Sequence, residues 1–91
     1  MAFSINFMLM EKKKYTNAEQ ALLKRVGENV KRCRVLANIK QEELAYESKV
    51  DRAYTGRVER GEKNISILKL KRLADTLGVD ISEFFRIKGK I

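Results

Sequence analysis

Apolar residues recur along most of this chain at spacings of three and four, the mark of a helical face turned toward a core. Leu22, Val26, Val30, Cys33 and Ala37 form the longest stripe, widened by Leu23, Leu36 and Ile39, with Lys24, Arg25, Lys31 and Arg32 outside it. Thr16-Asn17-Ala18-Glu19 precedes the stripe and fits a capping box, in which the Thr16 hydroxyl accepts from the Glu19 amide and Glu19 reaches back. Gly27 lowers the propensity and marks a bend or a start within this segment, and Asn38 fits a left-handed stop.

A short second helix is predicted over Gln41–Ser48, with acids in its N-terminal half, where the helix dipole favours them. After the turn at Lys49-Val50, Asp51 caps a third helix that runs to about Arg60 and stops at Gly61. Glu62 to Ile65 form a loop. Ser66 then caps a fourth helix that buries Leu70, Leu73, Ala74 and Leu77 and ends at Gly78. Asp80-Ile81-Ser82-Glu83 reads as a second capping box opening a fifth helix, which carries Phe84, Phe85 and Ile87. The pattern predicts an all-α domain over residues 16–88, with a leader or flexible arm over 1–15 and a fraying tail over 89–91.

The third helix has an uneven surface. At about 100° per residue, Arg52, Ala53, Gly56, Arg57 and Arg60 share one sector roughly 140° wide, and Tyr54, Thr55 and Val58 lie on the other side. Val58 and Thr55 lead the buried side. The outer side sets long cations around Ala53 and Gly56, which have almost no side chain. Glycine there costs about 1 kcal/mol of helix propensity relative to alanine. Small residues between arginines let a backbone approach a surface, and the major groove of B-DNA admits a helix whose Arg side chains bond guanine. Two short helices joined by Ser48-Lys49-Val50, the second with an exposed basic face, fit a helix-turn-helix over about residues 41–60.

Charge sharpens this. The 91 residues carry a net charge of +8, which suggests an anionic partner, nucleic acid first. The charge is zoned: residues 1–40 carry a net of +6, residues 41–48 a net of −3, residues 49–72 a net of +5, and residues 73–91 are balanced. With no histidine and one cysteine, Ser–His–Asp and Cys–His chemistry is excluded, and neither a metal site nor an internal disulfide is expected. Without a glycine-rich phosphate loop or a large core, no cofactor is implied and an enzyme is set aside. Cys33 lies on the apolar stripe and reads as a small buried hydrophobe. The opening segment MAFSINFMLM is apolar, but it is a poor signal peptide and far shorter than the roughly 20 residues of a membrane helix. A cytoplasmic, nucleoid-associated protein without a membrane partner is expected.

The motifs Gln41-Glu42-Glu43-Leu44-Ala45, Val50-Asp51-Arg52, Val58-Glu59-Arg60-Gly61, Leu73-Ala74 through Leu77-Gly78-Val79, and Glu83-Phe84-Phe85 resemble the Cro/repressor-type (XRE-like) helix-turn-helix family over about residues 27–85. DRAYTGRVERGEKNIS is further similar to the D-R-T-Y-I-S-G-I-E-R-G-x-R-N-I-S run of controller proteins of restriction–modification systems, at Asp51, Arg52, Tyr54, Glu59, Arg60, Gly61, Asn64, Ile65 and Ser66. The resemblance implies a five-helix, lambda-repressor-like DNA-binding domain and a homodimeric regulator of its own operon. It implies base contacts by Arg52, Ala53, Gly56 and Arg57. It implies phosphate contacts by Gln41, Lys49, Tyr54, Lys63, Asn64 and Ser66, and an ion pair between Arg34 and Glu59 that ties the recognition helix to the scaffold.

Departures from the family pattern are local. Lys40 stands where a Ser or Thr usually caps the second helix, Lys49 replaces the turn glycine, Thr55 replaces a core isoleucine, and Gly56-Arg57 replaces Ser-Gly. The Thr55 hydroxyl is expected to bond back along its helix.

Five short helices cannot bury Phe84, Phe85 and Ile87 together, so these residues are assigned to a homodimer interface. The sequence therefore predicts a homodimeric transcriptional regulator bound to double-stranded DNA at an inverted repeat. The alternative is a phage or mobile-element repressor, or an antitoxin-type protein-interaction module, with the same fold.

Overall fold

A computed structural model describes residues 14–89; the expectations for the leader before Lys14 and for the tail beyond Gly89 lie outside those residues. Among the described residues four α-helices form: α1 over Asn17–Leu36, α2 over Gln41–Ser48, α3 over Arg52–Glu59 and α4 over Ile67–Leu77. A 3₁₀ helix over Ile81–Phe85 follows. Among the described residues there is no strand.

The helix ends form where side chains can satisfy them. Thr16 and Glu19 make the reciprocal capping box, Glu19 N–H donating to Thr16 Oγ1 at 3.1 Å and Thr16 N–H to Glu19 Oε1 at 2.9 Å. Asp51 accepts from the Tyr54 amide at 3.1 Å, and Ser66 from the Lys69 amide at 3.2 Å. Lys40 has no acceptor to offer α2, and there Glu43 alone closes the turn, accepting from the Lys40 amide at 3.2 Å. Asn38 and Lys49 both take φ of 59°, the left-handed conformation, which ends α1 and turns the chain between α2 and α3.

The core is Val26, Val30, Cys33, Leu44, Val50, Val58, Leu70, Leu73, Ala74 and Phe84. Burial holds the Cys33 thiol above its ordinary pKa of 9.0, opposed by Arg32 and supported by Glu83. Ala37, the last residue of the expected stripe, is exposed because α1 has already ended.

Two local expectations change. Gly27 marks neither a bend nor a start, since α1 runs through it unbroken. A Cβ there would lie 2.2 Å from Val58 O and 2.8 Å from Glu59 O, so glycine lets α1 press against the backbone of α3. The fifth helix is the 3₁₀ segment rather than an α-helix. Asp80 caps it through the Ser82 amide at 2.9 Å, but Glu83 does not complete a box, because its carboxylate turns to Arg32 and Arg86. The Asn29 amide donates to Phe84 O at 3.0 Å and Arg86 O at 2.8 Å. Phe84 O is thus engaged by a side chain from α1 instead of accepting from the next turn of an α-helix.

Candidate nucleic-acid interface

The turn between α2 and α3 sets the site. Lys49 reverses the chain, the buried Val50 anchors it in the core, and the Val50 amide donates to Ala45 O at 3.2 Å. Thr55 sits fully buried on the inner side of α3, its hydroxyl donating to Asp51 O at 2.9 Å. That hydroxyl therefore needs no partner from the core around it.

The angle of α3 is fixed by one polar cluster. Arg34 donates to both carboxylate oxygens of Glu59, at 2.7 and 3.1 Å, and to Ile39 O at 3.0 Å. Gln41 Nε2 donates to Glu59 Oε1 at 2.9 Å. Glu59 thus links α3 to α1 and α2 with its charge fully partnered.

On the outer side of α3, Arg52, Ala53 and Arg57 are exposed. Gly56 is not: it is buried beneath the Gln41 amide and the Arg60 guanidinium, which a Cβ would meet at 3.5 and 3.4 Å. The wheel grouped Gly56 with the arginines, but α3 packs so close to α2 that the Gln41 side chain covers it. Gly56 therefore leaves the contact face. Arg52 lies 3.4 Å from Glu42 of α2, both exposed, and Arg60 is held by Glu62 at 3.0 and 3.3 Å. That pair, led by the Arg60 hydrogen bond, keeps the Glu62 carboxyl below its ordinary range. Arg57 has no ion-pair partner among the described residues.

Beyond α3, Asn64 and Ser66 are exposed beside the start of α4, and Lys63 and Tyr54 are half-buried. The Tyr54 ring carries two ammonium groups, Lys69 at 4.4 Å and Lys63 at 5.7 Å from its centre. Lys69 escaped the sequence reading. Its position three residues after the Ser66 cap was visible, but its contact with Tyr54 joins α4 to α3, which no local pattern encodes. Asn29, Arg32 and Glu42 were missed for the same reason. Lys49 is exposed at the turn.

The three residues assigned to a dimer interface separate. Phe84 is fully buried in its own chain and closes the core between α1 and α4, so it is removed from that surface. Phe85 and Ile87 remain 41% and 50% exposed. Ile67 and Leu68, at the start of α4, are also large exposed apolar residues. No helix among the described residues is long and apolar enough to cross a membrane.

The helix-turn-helix family matches residues 30–84. The chain is 32% identical over 62 residues to the control protein C.MunI of Mycoplasma sp, covering 67% of this chain and 84% of that protein. The restriction–modification controller protein C.AhdI from Aeromonas hydrophila has a similar structure, with 37% identity and a TM-score of 0.69, covering 71% of this chain and 98% of that one. The controller protein C.Esp1396I, solved as a tetramer in complex with its natural 35 base-pair operator, matches at 36% identity and a TM-score of 0.64, covering 70% of this chain and 84% of that one. The chain belongs to the helix-turn-helix family and, within it, to the control proteins of restriction–modification systems.

Proposed function

We propose that this protein is a sequence-specific DNA-binding transcriptional regulator that works as a homodimer on an inverted-repeat operator and controls its own operon. The observation that carries this reading is the outer face of α3, where Arg52, Ala53 and Arg57 are exposed on a helix locked in place by Arg34, Glu59 and Gln41. The operator complex of the related C.Esp1396I supports it.

In this reading α3 enters the major groove. Arg52 and Arg57 bond base edges, and Ala53 meets a thymine methyl. Gln41, Lys49, Tyr54, Lys63, Asn64 and Ser66 hold phosphates and set the register, and Lys69 joins them through its stack on Tyr54. Glu42 holds Arg52 until DNA competes for it. Phe85 and Ile87 meet a second copy, which places the two recognition helices about 34 Å apart, one turn of DNA. Residues 16–88 act as the DNA-binding and dimerisation domain of a lambda-repressor-like fold, with the 3₁₀ segment standing in for a fifth helix. The protein acts in the cytoplasm, on the nucleoid, without enzymatic activity of its own.

Two measurements test the reading together. Titration of a random-sequence duplex should show affinity falling about 10³-fold over a fourfold rise in salt if six or more phosphates are contacted. Selection of bound DNA from a random pool should return a pseudo-palindrome. Absence of binding at low salt, or selection of no common sequence, contradicts the proposal.

A further inference from the structure

The other side of α1 carries a feature that DNA reading does not use. A cavity of about 580 Å³ opens there, lined by Arg25, Glu28, Asn29, Arg32, Arg86 and Lys88 among others. Arg25, Asn29 and Arg32 follow at four and three residues and so form a stripe along α1. It lies roughly 180° around the helix from Gly27 and Arg34, the two residues that hold α3.

The wall of this cavity is ordered. Asn29 donates to the carbonyls of Phe84 and Arg86 and accepts from Arg32 Nε at 3.2 Å. Arg32 and Arg86 share the Glu83 carboxylate, at 3.4 and 3.6 Å. Three guanidiniums and an ammonium line the cavity with the single carboxylate of Glu28, and counting Glu83, which pairs with Arg32 and Arg86 outside the lining, two positive charges remain in excess. The Nε of Arg25 is shielded from solvent and has no hydrogen-bond partner. An unpaired buried donor on a charged group is unfavourable.

We propose that this cavity binds a small organic phosphate monoester. A dianionic head group matches the excess charge and the fork geometry of arginine. The volume falls within the roughly 300–1,000 Å³ of small-molecule sites and exceeds what inorganic phosphate fills. Because the stripe faces away from α3, the ligand and DNA can be bound at once.

The test is a titration of the full chain with phenyl phosphate, followed by backbone amide NMR at constant ionic strength, with benzenesulfonate as the monoanionic control. Saturable shifts are expected at Asn29, Arg32 and Arg86 below about 10 mM phenyl phosphate, with benzenesulfonate weaker. Arg25→Met should weaken binding by about tenfold or more while leaving the unfolding midpoint unchanged or higher, since the variant removes an unpaired buried donor. Lys88→Met, at an exposed position, is the second variant and should weaken binding severalfold without touching the fold. Lys63→Ala should bind as wild type. The proposal is overturned by an absence of saturable shifts, by equal binding in the Lys88→Met and wild-type chains, by a lowered unfolding midpoint in Arg25→Met, or by shifts that appear at Asn64 and Ser66 and vanish in Lys63→Ala.

Discussion

Arg34 grips Glu59 through two parallel hydrogen bonds, 2.7 Å from Nε and 3.1 Å from Nη2, joining residues 25 apart in sequence. Both side chains are largely out of water, at 13% and 3% exposure. Removing one partner leaves a buried charge. Arg34→Met should therefore destabilise the fold by about 3–5 kcal/mol, whereas replacing both residues with methionine should recover much of that loss. Urea unfolding of the two variants measures the difference. A loss below about 1 kcal/mol for Arg34→Met would show that water reaches Glu59 and that the pair does not fix α3.

The two helix-interior glycines should behave oppositely. Gly27→Ala forces a methyl into backbone oxygen at 2.2 Å, and packed backbone cannot step aside. A destabilisation of about 1–3 kcal/mol or more is expected, with α3 displaced and DNA binding weakened. Gly56→Ala meets only the flexible ends of Gln41 and Arg60 at 3.5 and 3.4 Å, so it should gain up to about 1 kcal/mol of helix propensity. Thermal unfolding of both variants decides. A destabilised Gly56→Ala would mean that the Gln41 amide has no room to give.

Neighbouring phenylalanines carry different duties. Phe84→Ala opens the core and should cost about 3–5 kcal/mol. Phe85→Ser with Ile87→Ser should leave the unfolding of the monomer nearly unchanged but weaken self-association, which sedimentation equilibrium at micromolar concentration measures. A double variant that remains as dimeric as wild type would move the interface elsewhere, and the exposed Ile67 and Leu68 would be the next surface to alter.

The Cys33 thiol gives a pH signature. Burial raises its folded pKa above the ordinary 9.0. The unfolded thiol therefore ionises first as pH climbs, so the stability held below about pH 9 declines above it. Wild type and Cys33→Ala, compared by urea unfolding across that range, should differ in slope, with the variant flatter. Parallel curves would contradict the burial effect on the thiol.

Much of this molecule was legible in its residues because its signals are local. The Thr16–Glu19 box, the Asp51 and Ser66 caps, the stops at Asn38 and Gly78 and the apolar stripes each involve residues within a turn of one another. The Arg34–Glu59 pair was legible only through family resemblance, since nothing local joins those positions. What failed depended on tertiary closeness. A helical wheel assigns Gly56 to the outside, and only the approach of Gln41 from α2 buries it. The segment after Asp80 goes no further than Phe85 as a helix, where Asn29, more than 50 residues away, takes the carbonyls of Phe84 and Arg86. Phe84 looked like surplus apolar surface until the core between α1 and α4 was seen to need it.

The central claim, that α3 reads base edges while the residues around it hold phosphate, is tested most directly by comparing Arg57→Ala with Lys63→Ala. Each affinity is measured on the selected operator and on a random duplex of equal length, at one salt concentration. Arg57→Ala should lose about 1–3 kcal/mol on the operator, roughly 5- to 150-fold, and far less on random DNA. Lys63→Ala should weaken both duplexes alike and lower the salt dependence by about one phosphate contact. An equal loss on both duplexes for Arg57→Ala would show that Arg57 touches only the backbone, and would contradict the account.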